Sequence, residues 1–277
     1  MNQSFSNAKL LKLLVLSISL LATVGIDFLV SNNIKNSFVF SPYVEAQTTS
    51  KVNEAKMFFD RASLKYGDDY GMIADYTEAI RLNPKYSEAY FLRGLSKSKL
   101  GDNYGGIADY TEAIRLNSKH GNAYFTRGLN KSVLGDNYGA IADYTQAIRL
   151  NTRNTLMHSI YESRGDAKSR LGDYYGAIAD WNETIRLAPK SLKAYLNRGI
   201  AKAETKDAYG AIFDYTEAIR LYPQFAYAYF YRGSAKFSLS DKDGAINDYT
   251  RAAELYDQQG EIKKLKILLQ TINKLIW

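Results

Sequence analysis

Arginine and aspartate recur along this chain at a fixed spacing. Arg93, Arg127, Arg164, Arg198 and Arg232 stand sixteen residues before Asp109, Asp143, Asp180, Asp214 and Asp248, and Asp75 precedes them all. A guanidinium beside a carboxylate can hold an anionic substrate or tune a general acid, so the pairing looks catalytic at first sight. A catalytic constellation is needed once, however, whereas a strut is needed in every structural repeat. The repetition therefore predicts interhelical ion pairs. Two registers are open. Pairing within a repeat leaves Asp75 without an arginine, and pairing with the arginine of the following repeat leaves Asp248 without one.

Other candidate chemistry is sparse. His120 and His158 are the two histidines, and neither has the His-x-x-x-His or His/carboxylate spacing of a metal site. Both are read as surface residues near repeat boundaries. Ser96-Lys97-Ser98-Lys99 matches Ser-x-x-Lys, but lysine- and serine-rich helices produce that tetrapeptide often and its companion motifs are missing. The glycines do not form a Gly-x-x-x-x-Gly-Lys phosphate loop. Cysteine is absent, which removes thiol nucleophiles, disulfides, cysteine-based metal sites and an acylated lipoprotein anchor. The expectation is a protein that is not an enzyme, with no catalytic residue, metal or cofactor.

The elements that carry these residues follow from one phrase. Ala-Tyr-Phe-Leu-Arg-Gly-Leu at Ala89–Leu95 returns as Ala-Tyr-Phe-Thr-Arg-Gly-Leu at Ala123–Leu129, 34 residues later. Six repeats fit this period, at residues 53–86, 87–120, 121–154, 158–191, 192–225 and 226–259, with Thr155-Leu156-Met157 as an insertion. In the third repeat Ala140, Ile141, Tyr144, Ala147 and Ile148 have the spacing of an amphipathic helix. A first helix precedes it, from about Asn122 to Leu134, and Gly135-Asp136 ends it, glycine supplying the left-handed turn. Asp68, Asp102, Asp136, Asp173, Asp207 and Asp241 hold the same place in all six repeats, where each carboxylate can cap the second helix.

The period, the hairpin pattern and the small residues at fixed places resemble the tetratricopeptide repeat family, of an exported bacterial type. The resemblance rests on Gly94, Gly128, Gly165, Gly199 and Gly233 at position 8 of the repeat and Ala140, Ala177, Ala211 and Ala245 at position 20. Ala79, Ala113, Ala147, Ala218 and Ala252 at position 27 and Pro84, Pro189 and Pro223 at position 32 complete it. Asp60, Met72, Gly106 and Thr184 depart from the pattern. The resemblance implies an all-α fold, a right-handed α-solenoid of six helix-turn-helix repeats with a C-terminal capping helix over residues 260–277. In such a solenoid each repeat contacts mainly its neighbours.

Three tyrosine columns follow the same phase. Tyr90, Tyr124, Tyr161, Tyr195 and Tyr229 hold position 4, and Tyr70, Tyr104, Tyr138, Tyr175 and Tyr209 hold position 18. Tyr76, Tyr110, Tyr144, Trp181, Tyr215 and Tyr249 hold position 24. All three are expected to be core or helix-joint residues with the hydroxyl reaching outward, not a stacking surface for bases or sugars.

The N-terminus carries a second signal. Lys9 and Lys12 precede an uncharged run from Leu13 to Gly25, which reads as an export signal within residues 1–30, followed by a linker over 31–52. Cleavage after Val44-Glu45-Ala46 fits the small-residue rule, though it lies well beyond the apolar run. Uncleaved, residues 13–30 could just span a bilayer. Both versions place the repeats outside the cytoplasm, in the periplasm, secreted, or anchored to the inner membrane. The net charge of +7 is modest and spread over regular positions. It gives no indication of a nucleic-acid partner.

The family resemblance implies that first helices line a concave groove, with positions 2, 5, 6, 9 and 13 turned into it. Those positions hold Phe91, Leu92, Leu95, Phe125 and Leu129, then Glu162 and Asp166, then Leu196, Ile200, Tyr227, Phe230 and Tyr231. The groove is expected to be apolar at its ends and polar in its middle. The lysine and asparagine clamp that some members use for a partner's terminal carboxylate is missing, because Phe91, Leu95, Thr126, Ser159 and Ser163 stand in its places. The expected function is a scaffold or adaptor binding a partner peptide or helix. Two alternatives are an accessory subunit of an envelope enzyme and an architectural protein that self-associates.

Overall fold

The computed structural model describes residues 42–150 and 156–276. The chain divides into two compact units, residues 1–49 and 50–277, and the repeats lie in the second. The expected leader, and the linker as far as residue 41, fall outside the described residues. Among those described there are thirteen helices and no strand. They are α1 (Pro42–Leu64), α2 (Asp69–Leu82), α3 (Ser87–Lys99), α4 (Asn103–Leu116), α5 (Gly121–Val133), α6 (Asn137–Leu150) and α7 (Met157–Arg170). The series continues with α8 (Tyr174–Leu187), α9 (Leu192–Glu204), α10 (Ala208–Leu221), α11 (Ala226–Ser238), α12 (Lys242–Gln258) and α13 (Ile262–Ile276). Helix α1 begins inside the stretch read as a linker.

Each hairpin is shaped by the same few residues. A left-handed turn ends the first helix, at Gly67, Gly101, Gly135 and Gly172 with φ from 80° to 89°. Lys206 (φ 64°) and Ser240 (φ 65°) adopt this conformation in the last two repeats. The next residue is the capping aspartate, and in every repeat its Oδ1 accepts from the backbone N–H three residues on, at 2.8–2.9 Å. Such a cap contributes about 1 kcal/mol. The second helix of each hairpin then packs on the first helix of the next.

The position-24 ring is the centre of each hairpin. Tyr76, Tyr110, Tyr144, Trp181, Tyr215 and Tyr249 are all buried, and burial pushes the Tyr144 hydroxyl up to about 12. Each of the last five faces a glycine on the paired helix. A Cβ at Gly94 would stand 2.7 Å from the Tyr110 ring, and one at Gly165 would stand 3.0 Å from Trp181 Nε1. Glycine is needed here because the ring occupies the volume of a side chain.

The position-18 tyrosines were expected in the core or at joints, and the structure puts them in solvent. Tyr70, Tyr104, Tyr138, Tyr175 and Tyr209 are 75–77% exposed. The reason is angular: position 18 precedes position 24 by six residues, about 120° around the helix from the buried stripe. The position-4 tyrosines do sit at joints, partly or wholly buried, and the repeat's own arginine lies 5.5–5.6 Å above each ring.

The first repeat is framed two residues later than its sequence phase suggests. Ala62, not Asp60, occupies the glycine place against Tyr76, and Asp60 instead pairs at the surface with Lys56. Ala62 stands five residues before Gly67, where Gly94 stands seven before Gly101, so the first helix is displaced along the sequence while the packing is kept. At the other end Leu265, Leu268 and Ile272 of α13 cover Ala252, Leu255 and Tyr256 of α12, closing the apolar face of the last hairpin.

Candidate partner-binding face

The arginine–aspartate pairs resolve as struts within each repeat. Arg93 Nε and Nη2 donate to the two Asp109 oxygens at 2.9 and 2.7 Å, and the same fork joins Arg127 to Asp143, Arg164 to Asp180, Arg198 to Asp214 and Arg232 to Asp248. A lysine one turn after the arginine adds a second contact, as Lys97 does to Asp109 at 2.9 Å. The remaining arginine nitrogen reaches back to the preceding repeat, from Arg93 to Thr77 Oγ1 at 3.2 Å and from Arg198 to Asn182 Oδ1 at 2.6 Å. Each arginine thus ties its own hairpin and the one before.

Asp75 has a partner after all. In the register of the first repeat Arg61 takes the arginine's place and Lys65 the lysine's. The hydrogen bond from Arg61 holds the Asp75 carboxyl below the usual aspartate value, against the opposing effect of burial. Sequence phase missed this because the fork is defined in space by the i, i+4 pair of cations. The two-residue shift carried both together.

His120 is also more structural than a surface residue. Its ring lies 4.5 Å from Phe91, its Nδ1 accepts from the Ala123 amide at 3.4 Å as the cap of α5, and Nε2 is 3.2 Å from Glu88. The Ser-x-x-Lys residues are used in packing as well: Ser96 is buried, and Lys99 reaches Asp69 of the preceding repeat at 3.2 Å. Among the described residues no group of three or more His, Cys, Asp or Glu is placed to hold a metal ion.

The residues expected to line the groove separate into three kinds. Phe91 and Phe125 are buried, 8% and 9% exposed, and lean on Tyr110 and Tyr144 with ring centroids 5.9 Å apart in both cases. They belong to the core, not to an open face. Leu92, Leu95, Leu196, Ile200, Phe230 and Tyr231 are half-buried, while Leu129 and Tyr227 are exposed. Glu162 and Asp166 form the polar middle. Lys193 of the next repeat donates to Glu162 at 2.9 Å and to Asp166 at 2.7 Å, and Asn197 Nδ2 donates to Asp166 at 3.1 Å. Burial opposes the lysine's charge, but the two carboxylates outweigh it and raise its pKa. Lys193 and Asn197 were missed as members of this cluster, although the carboxylates at positions 5 and 9 lie one repeat before them.

Two cavities adjoin this face. One of about 160 Å³ lies between Tyr227, Phe230, Tyr256, Lys264, Ile267 and Leu268. Another of about 410 Å³ lies where α9 and α10 meet α11.

Helical hairpins, each stacked on the next through the same contacts, define a helical-repeat solenoid. The tetratricopeptide repeat model matches residues 87–120, and a second model of that repeat matches residues 210–260. The chain carries tetratricopeptide repeats, whose fold suggests a protein–protein interaction scaffold. No curated protein matches the sequence. Among solved structures, that of MamA is similar with a TM-score of 0.58 and 22% identity, covering 61% of this chain and 96% of MamA. YrrB, described as a TPR protein with an unusual peptide-binding site, gives a TM-score of 0.60 and 18% identity over 65% of this chain and 91% of its own. The pilF protein of Pseudomonas aeruginosa gives 0.58 and 12% over 80% and 98%. At these identities the likeness is one of fold.

Proposed function

We propose that the chain is a non-enzymatic adaptor that binds a partner peptide or helix along its first-helix face, outside the cytoplasm. The observation that carries the reading is a division of labour within each repeat. The strut, cap, glycine and ring positions are nearly the same from one repeat to the next, whereas positions 5, 6 and 9 change from aromatic to acidic to aliphatic. Partly exposed apolar side chains flank a charged centre there, as a docking face requires. YrrB, of the same fold, carries a peptide-binding site by its description. The location rests on Lys9, Lys12 and the apolar run Leu13–Gly25. Among the described residues no helix is long and apolar enough to cross a membrane, and residues 13–30 lie outside them.

A photo-crosslinking amino acid placed at Leu129 or Leu196 is expected to capture a defined partner in cells, and one at exposed Tyr104 is not. Equal capture from all three places would overturn the assignment of the face. Fusion of residues 1–52 to a phosphatase that folds only outside the cytoplasm tests the location. An inactive fusion that is nonetheless expressed would overturn export.

A further inference from the structure

Junctions between successive hairpins can be compared within this one molecule, and one of them is open. Where α3 and α4 meet α5, Asn130 donates to Ser98 Oγ at 2.6 Å and to the Asn103 carbonyl at 3.3 Å, filling the gap beside Tyr110. Where α5 and α6 meet α7, Arg170 reaches across to Ser132 Oγ at 2.7 Å. Where α7 and α8 meet α9, Tyr174 packs on the cluster of Trp181 and Ala201. At the junction of α9 and α10 with α11, the matching residues are Ala203, Ala208, Ala235 and Ser238. They leave the cavity of about 410 Å³.

Its lining is selective. Tyr231, stacked on the buried Tyr215 at 5.8 Å and 22°, makes an aromatic wall, and the alanines and Leu239 make an aliphatic one. The Tyr110 and Tyr249 hydroxyls lie 3.0 Å from Ser98 and Ser234, but Ala203 gives Tyr215 no such hydroxyl. Lys206 also lines the cavity, and it forms no ion pair among the described residues. It holds the left-handed turn that four other repeats give to glycine. A half-open apolar pocket with a few polar groups and one free cation suits a flat apolar group next to a negative charge.

We propose that this cavity is the anchor pocket of the docking face, and that it takes an aromatic side chain of the partner with an acidic residue beside it. The ring lies along Tyr231, and the carboxylate meets Lys206. This rests on the reading of the first-helix face as a docking surface.

The test uses the full chain, isotope-labelled, titrated with the blocked dipeptide acetyl-Glu-Phe-amide and followed by NMR. Saturable shifts at the amides of Ala203, Ala208 and Ser238 are expected, with a dissociation constant of about 1 mM. Ala208→Tyr copies Tyr174 into nearly the same alanine surroundings and should weaken binding about tenfold or more while circular dichroism is unchanged. Lys206→Gly, which installs the residue of the other repeats, should abolish the preference for acetyl-Glu-Phe-amide over acetyl-Lys-Phe-amide. Shifts centred elsewhere, undiminished binding by Ala208→Tyr, or no preference in the unmodified chain would each overturn the pocket. If the dipeptide fails while Leu196 still crosslinks a partner, the pocket falls and the docking face stands. Absence of any crosslink overturns the docking face itself.

Discussion

The guanidinium of Arg61 forks onto Asp75, 2.9 Å from Nε to one oxygen and 2.5 Å from Nη2 to the other. The carboxylate is buried and its pKa is lowered by that hydrogen bond, so it binds its proton less readily folded than unfolded. A lowered folded value means stability that is present above the unfolded pKa, about 3.9, and is lost as pH falls through the folded one. Arg61→Gln should therefore destabilise the first hairpin at neutral pH, with Lys65 still in place. The difference from the unmodified chain should close once Asp75 is protonated. Hydrogen exchange of α2 amides across the acid range measures it, and a difference independent of pH would contradict the assignment.

The contact between Gly199 and Tyr215 sets a second expectation. A Cβ at Gly199 would lie 2.6 Å from ring atom Cε1 and 2.9 Å from Cδ1, so the ring must shift to admit it. Gly199→Ala should cost about 1–3 kcal/mol in urea unfolding. The usual gain from replacing glycine by alanine within a helix, roughly 1 kcal/mol, works in the opposite direction and makes a net loss the more telling result.

Two tyrosines six residues apart separate helix phase from composition. Tyr110→Ala removes a fully buried ring and should cost about 3–5 kcal/mol, whereas Tyr104→Ala should change stability by no more than about 0.5 kcal/mol. Equal losses in thermal unfolding would show that Tyr104 is covered by something in solution.

The period was legible in the sequence because glycine, aspartate and aromatic positions are dictated by contacts that every hairpin must repeat. Capping by Asp102 and close approach at Gly94 needed only spacing. Three things were not legible. The position-18 tyrosines shared the phase of the core tyrosines, and only the angle around the helix distinguished them. The shift in the first repeat was hidden because Arg61 and Ala62 look like an irregular stretch until Asp75 and Tyr76 are seen beside them. Phe91 and Phe125 were read as groove residues, yet a side chain at that position can turn either toward the ring of its own hairpin or outward. Local packing, including His120 against Phe91, decided it.

Ser240 carries a strain that can be relieved. Its φ of 65° lies in the region where a Cβ clashes with the neighbouring carbonyl, and the first four repeats avoid the cost with glycine. Ser240→Gly should stabilise the last hairpin by roughly 0.5–1 kcal/mol, after allowance for the greater freedom of glycine in the unfolded chain. A fall in thermal midpoint would mean that the serine side chain makes a contact worth more than the strain.

The last hairpin would expose an apolar face if α13 were removed, and adjacent leucines show how the helix covers it. Leu268 is 1% exposed against Leu255 and Tyr256, while Leu269, one step around the helix, is 46% exposed. Leu268→Lys must bury a charge or lift the helix, and a solenoid transmits such a loss only to its neighbour. It should therefore unfold α13 and loosen α12 while α3 to α8 keep their hydrogen-exchange protection, and the uncovered face should drive association in light scattering. Leu269→Lys should leave both protection and mass unchanged. If Leu269→Lys instead dissolves an oligomer formed by the unmodified chain, α13 is itself an interface and not only a cover.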